Sequence, residues 1–275
     1  MQQVEGSSPF SRFGRPAFAG LFVFGQTSPT DGPASFDLAP APTIGTMCGR
    51  YTLTAGGDRV QVAFAEFDLR LQDGRGLGHY NVAPTEQVVA IAAPKGEPEA
   101  ELMRWGLVPP WSKDLKSSAK MINARLETVT EKPAFRALVP KASRRALLLA
   151  DGWYEWLKPE KNSEPRQPFH FQVDGGVVFA FAALWAPAKI DDEWIHSVTL
   201  LTCDSSPNGV AAGIHDRMPV VLADSETHRA WLSPDLGVEV LDLCGPLPSD
   251  RLSARPANPA VNKAGEFDGP ELLEP

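Results

Sequence analysis

From residue 87 to residue 222 the chain is a succession of short apolar or alternating runs, each cut off by Gly, Pro or Asp. The runs fall at 87–93, 101–107, 146–150, 153–157, 168–173, 177–185, 195–202 and 218–222. Segments this short, with turn residues at both ends, read as strands rather than helices. Tyr51-Thr52-Leu53 suggests one more strand. Helical spacing is rarer. Asp58 can cap a helix that puts Val60, Ala63, Phe64 and Phe67 on one face, and two further helices are expected near 133–139 and 226–232. Strands and helices do not alternate regularly, which disfavours a doubly wound parallel sheet. The expectation is an α+β fold with curved antiparallel sheet at its centre.

The first 46 residues are compositionally unlike the rest. Pro, Gly, Ser and Thr supply 21 of them, without helical or strand period, so 1–46 is expected to be a disordered extension. An apolar stretch at 18–25 follows two arginines as in a secretory leader, but it is short and no cleavage site follows it. Residues 47–275 are enough for one domain with a substantial core. No run approaches the ~20 apolar residues of a membrane span. The cysteines Cys48, Cys203 and Cys244 are too far apart in sequence for a zinc knuckle or a disulfide framework, and a cytoplasmic setting fits best; no metal or organic cofactor is expected. The net charge of −8 argues at first against nucleic acid. It is unevenly spread, however: residues 101–145 carry ten Lys/Arg against four Asp/Glu. A basic face on an acidic body is compatible with a phosphate backbone, or is simply a solvated face.

Several segments carry more chemistry than a plain β core needs. Cys48 sits between Met47 and Gly49. It is either a small core hydrophobe or, once it is the N-terminus, a 1,2-aminothiol. Such an amine and thiol titrate near ~8 and ~8.5, so both are partly nucleophilic at neutral pH and together can trap an aldehyde as a thiazolidine. In DGWYEW, strand alternation puts Trp153 and Glu155 on one face and Tyr154 and Trp156 on the other. Glu155 is an exposed edge residue or, if its face is enclosed, a carboxyl with raised pKa able to act as a general acid. His215 lies in a polar turn beside Asp216 and Arg217. Asn123 and Arg125 share a face if their segment is extended, giving an amide and a phosphate-matching guanidinium. The prolines and tryptophans of 105–111, next to Lys113, Lys116 and Lys120, suit unstacked single strands or a packed core.

The motifs MCGRY, HYNVAPT, RWGLVPPW, MINARLET, ADGWYEW and GIHDRMPVVL, in this order, resemble the SOS-response-associated peptidase family, whose members shield abasic sites by covalent crosslinking. The resemblance runs from Met47 to near the C-terminus. It implies antiparallel sheets around a barrel-like core with flanking helices, and a positive cleft for single-stranded DNA. It implies that Cys48, as mature N-terminus, forms a thiazolidine with the ring-opened abasic sugar. Asn123 would hold the sugar and the Cys48 amine, Glu155 would serve as acid and base, and His215 would assist proton transfer. Arg125 and Arg217 would contact phosphates and Arg50 would line the cleft. Asn81, Pro84, Trp105 and Trp156 would shape the pocket. Family members begin at the Met before the cysteine, whereas 46 residues precede it here; the expectation is that they are removed, by the chain's own peptidase-like activity, or reflect an upstream start.

The function expected is capture of abasic sites in single-stranded DNA by a monomer through a Cys48 crosslink. The alternatives are a cysteine peptidase using Cys48 with His215 and Glu155, and a non-covalent single-strand binder.

Overall fold

The computed structural model describes residues 48–71, 74–159 and 166–275; the expectations for 1–46 and for Met47 lie outside them. In chain order the elements are β1 (Arg50–Leu53), α1 (Gly57–Ala63), β2 (His79–Val82), β3 (Gln87–Ala92), β4 (Glu99–Trp105), β5 (Asn123–Arg125), β6 (Arg145–Ala150) and β7 (Gly152–Leu157). There follow β8 (Gln167–Val173), β9 (Phe179–Ile190), β10 (Glu193–Asp204), α2 (Gly209–Ala212), β11 (Arg217–Pro219), β12 (Val221–Leu222), α3 (Ser225–Leu232) and β13 (Leu252–Pro256).

Five of these strands close on themselves. Strand β4 pairs with β3, β3 with β6, β6 with β9 and β9 with β10, and β10 returns to β4 through a parallel register of Ser197 to Arg104 and Val198 to Trp105. Closure removes the unpaired edges that an open sheet would leave. The residues suit it. Every residue of β6 is buried, and in β9 Phe179 and Phe181 share the face that meets Tyr51 and Trp153 while the small Ala180 and Ala182 take the other, so both faces of this strand are buried. The long β9–β10 hairpin turns at Asp191 and Asp192, both with positive φ of 48° and 69°, the backbone a tight two-residue hairpin needs.

A second, antiparallel sheet has the order β13-β8-β7-β1-β2. It packs on the barrel through aromatic edges: Tyr51 meets Trp105 and Phe181 at centroid distances of 5.1 and 5.9 Å, and Trp153 meets Phe181 at 6.0 Å. Each such ring removes ~150–250 Å² from water, so this interface holds the sheet in place. Its far face is covered by the C-terminal segment, where Ala257, Val261 and Leu272 pack on Tyr154 and Trp156. The two faces expected for β7 are therefore both present. Trp153 looks to the barrel and Tyr154 away from it.

Three local expectations are corrected. The first helix is capped by Gly56, with Asp58 inside its first turn, and it ends at Ala63, so Phe64 and Phe67 reach the core from the turn beyond. Residues 133–139 form consecutive turns rather than a helix, because Pro133 and Pro140 bracket a stretch too short to propagate one. The run 218–222 is split into β11 and β12, which pair with different strands, β10 and β9. The third helix forms as expected, with the Asp224 side chain accepting from the Thr227 backbone N–H at 2.9 Å.

Candidate active site

The site is assembled where β1 begins and β7 nears its end. The register aligns Arg50 with Tyr154 and Tyr51 with Trp153, which carries the residues before Arg50 alongside Glu155. One carboxyl oxygen of Glu155, Oε1, accepts the Cys48 backbone N–H at 2.9 Å and the Cys48 thiol at 2.6 Å. Both side chains are buried, at 2% exposure each. Cys48 has a positive φ of 43°, uncommon for a residue with a Cβ, and this backbone turns its N–H and its thiol toward the same acceptor. Because both donors converge on Oε1, the carboxyl proton belongs on Oε2.

Burial is the main reason that the Glu155 pKa is pushed up to about 8; the hydrogen bonds from Cys48 oppose the shift, and the negative charge of Asp216 adds to it. The Cys48 thiol is itself pushed well above its usual value, first by burial and then by Glu155, with Cys203 adding and Arg217 opposing. Neither group favours ionisation at neutral pH. The pair is a proton-rich centre rather than a thiolate.

Strand β10 outlasts its neighbours in the barrel, and its last residues take β5 on one edge and β11 on the other: Leu200 aligns with Asn123, Thr202 with Arg125 and Asp204 with Arg217. That arrangement brings Asn123, Arg125 and the 215–217 turn to one end of the barrel. Arg125 is exposed and Asn123 half-buried, with the buried Ala124 between them turned the other way. The turn adjoins the cysteine–glutamate pair, since Asp216 acts on Glu155 and Arg217 on Cys48. His215 accepts the Arg217 backbone N–H on Nδ1 at 3.1 Å, which assigns its ring proton to Nε2. Burial lowers its pKa, so the ring is neutral near pH 7. The Asp216 carboxylate 3.1 Å from Nδ1 is largely exposed, and beside a neutral ring it is a solvated neighbour rather than an ion-pair partner.

The other expected site residues divide. Arg50 is almost buried, its Nη1 donating to the Gly49 carbonyl at 2.9 Å beside Cys48. Burial lowers its pKa and the nearby Glu86 carboxylate raises it. Arg217 is tied to Glu127 by two hydrogen bonds, at 2.6 and 2.8 Å. Trp105 does not line a cleft: it is fully buried in the barrel, its indole N–H donating to the Ile122 carbonyl at 3.1 Å. Asn81 is likewise a clasp, donating to the carbonyls of Val261 and Phe267 in the C-terminal segment, and Pro84 is buried in the loop that follows it. Trp156 is half-buried, its indole N–H donating to Asn262 at 2.9 Å. Sequence reasoning passed over Glu127, Glu86 and Cys203. Glu127 stood in the motif MINARLET, four residues after Asn123, and its pairing with an Arg ninety positions away had no local signal.

A closed barrel carrying a second sheet, with a cysteine and a glutamate joined between them, defines a mixed α/β domain built around a buried thiol–carboxyl pair. Residues 47–264 match the SOS response associated peptidase (SRAP) family, and the chain belongs to it. It is 36% identical to abasic site processing protein YoqW of Bacillus subtilis (strain 168) over 233 residues, which span 83% of this chain and 99% of that protein. It is 29% identical to abasic site processing protein YedK of Escherichia coli (strain K12), over 83% of this chain and all of that one. A solved structure from Bacteroides thetaiotaomicron shares the fold with a TM-score of 0.70 at 23% identity, covering 82% of this chain and 99% of that chain.

Proposed function

We propose that the chain processes abasic sites in single-stranded DNA by forming a covalent thiazolidine through Cys48. The observation that carries this reading is the double hydrogen bond from the Cys48 nitrogen and thiol to one buried Glu155 oxygen. The abasic-site-processing names of relatives matched over most of both chains support the substrate. Cys48 must first become the N-terminus. In an autoproteolytic route its thiol adds to the carbonyl of residue 47, the acyl group moves from nitrogen to sulfur, and water hydrolyses the thioester to leave the α-amine.

The amine then condenses with the aldehyde of the ring-opened sugar. Glu155, protonated below about 8, donates to the departing hydroxyl so that water leaves and an imine forms. The thiol adds to the imine carbon, its proton passes to the nitrogen, and the ring closes. In this scheme Asn123 orients the sugar, His215 relays protons and Arg125 contacts phosphate. The peptidase alternative is less well supported, because the partner of Cys48 is a carboxyl rather than an imidazole and burial disfavours the thiolate.

The test is a denaturing gel with abasic single-stranded DNA. In the chain beginning at residue 48, Cys48→Ala keeps the amine and loses the sulfur. Almost no stable adduct is expected from it, but borohydride should trap its imine, and slow strand cleavage by β-elimination should appear. A Cys48→Ala chain that crosslinks as stably as the native one without borohydride would overturn the reading.

A further inference from the structure

Glu127 follows Arg125 by two residues, in the short helical turn Leu126–Thr128. Its carboxylate meets the Arg217 guanidinium edge-on, Nη1 donating to Oε1 at 2.6 Å and Nη2 to Oε2 at 2.8 Å. Nη2 also donates to the Thr202 carbonyl at 2.7 Å, while Oε1 accepts the Asp204 backbone N–H at 3.2 Å. The exposure is lopsided: the Arg217 side chain is 10% exposed and the Glu127 side chain 47%. Solvent at this end of β10 therefore meets a carboxylate, with the guanidinium fork behind it. That fork fits a carboxylate and a phosphate with the same bidentate geometry.

We propose that Glu127 determines specificity by occupying the phosphate-binding edge of Arg217, so that a DNA phosphate reaches the guanidinium only by displacing a carboxylate. The inference rests on the single-stranded DNA reading and deepens it. The Arg217 hydrogen bonds hold the Glu127 carboxyl below its usual pKa, so the competitor is ionised at neutral pH. An ordinary single strand gains little from Arg217, because one ion pair replaces another. A strand captured at Cys48 is held covalently and can complete the exchange. Glu127 thus lowers affinity for undamaged DNA more than it hinders capture of the lesion.

The test uses the full chain and an undamaged oligonucleotide, with binding followed by fluorescence anisotropy across a salt series. Glu127→Gln preserves shape and one acceptor oxygen but removes the competing charge. It should bind about two- to fivefold more tightly at low salt, the scale of one released charge pair. Its log–log salt slope should steepen by about 0.7, as expected for one more neutralised phosphate on a single strand. Adding Arg217→Ala to Glu127→Gln should erase the gain. If Glu127→Gln lacks a cooperative thermal transition, Glu127→Asp carries the test, since the shorter side chain cannot span both contacts and should also tighten binding. Unchanged or weaker binding by a folded variant, or a gain that survives Arg217→Ala, would overturn the proposal. Because the strand is undamaged, this outcome is independent of covalent capture; loss of crosslinking with these binding effects intact would sink the abasic-site reading alone.

Discussion

Two buried carboxyl groups, Asp151 just before β7 and Glu155 within it, are held by residues in or next to β1. Asp151, just before β7, accepts from the Thr52 hydroxyl at 2.7 Å, the Thr54 backbone and hydroxyl at 2.8 and 2.6 Å, and the Ala55 N–H at 3.0 Å. Glu155, four residues on, accepts among the described residues from Cys48, on one oxygen. The first carboxylate has enough donors to replace the water it lost on burial. The second does not, and its pKa climbs to about 8. Donor number is what separates these two carboxyls. The Asp151 end is reinforced from below: the buried His170 Nε2 lies 3.2 Å from the Thr52 hydroxyl, and because that hydroxyl already donates to Asp151, the ring donates to it. Gly152 leaves room for this ring, since a Cβ there would run into it.

The largest expected effect comes from breaking the structural end. Asp151→Ala leaves four donors at the end of β1 without their acceptor, and should cost on the order of 4 kcal/mol of stability. Denaturant unfolding measures it. A loss below about 1 kcal/mol would mean that β1 is held mainly by its other contacts. Glu155→Gln should leave the fold intact and slow crosslinking on the order of 10²-fold, about 2.7 kcal/mol of barrier, as quantified on denaturing gels over time. An unchanged rate would remove Glu155 from the chemistry.

The next contrast lies in the pH dependence. In the folded state Glu155 keeps its proton up to about 8, whereas the unfolded chain releases it near the ordinary 4.5. The folded state therefore binds more protons in this window. The stabilising contribution is fully present below 4.5 and is lost as pH rises through 8, with a slope of at most about 1.4 kcal/mol per pH unit. Urea unfolding across that range should show the slope in the native chain and its disappearance in Glu155→Gln. A native stability that rises with pH through this window would contradict the assignment. The smallest effect is expected at the rim: Arg125→Ala should weaken binding to intact and abasic single strands alike by a few-fold and flatten the salt slope by about 0.7. Weakening confined to abasic strands would give Arg125 a role at the lesion.

Much of this contrast was legible in the chain. The continuous apolar runs of β6 and β9 and the alternation in β7 announced strands, while Glu155 read either as an exposed edge residue or as an enclosed carboxyl until its burial decided for the second. Cys48 was conspicuous as a rare cysteine set between Met47 and Gly49. What stayed hidden was long-range. Nothing local to β4 or β10 specifies their parallel pairing, which closes the barrel, and β2 and β13 are short strands whose apolar content is diluted by polar residues. Trp105 read as a core residue or, more weakly, as a stacking platform, and its full burial beside Tyr51 decides for the core. Arg217 carried a motif suited to phosphate, but its carboxylate partner comes from a turn far away in the chain.

The central claim is that Cys48 works through its amine and thiol together. Its most direct test compares the chain beginning at residue 48 with one carrying a single extra residue before Cys48, each incubated with abasic single-stranded DNA and run on a denaturing gel with and without borohydride. The free-amine chain should give a heat-resistant crosslink. The blocked chain, its thiol untouched, should give neither a stable adduct nor one trapped by borohydride. A stable crosslink from the blocked chain would mean that the thiol acts alone, and would contradict the thiazolidine mechanism.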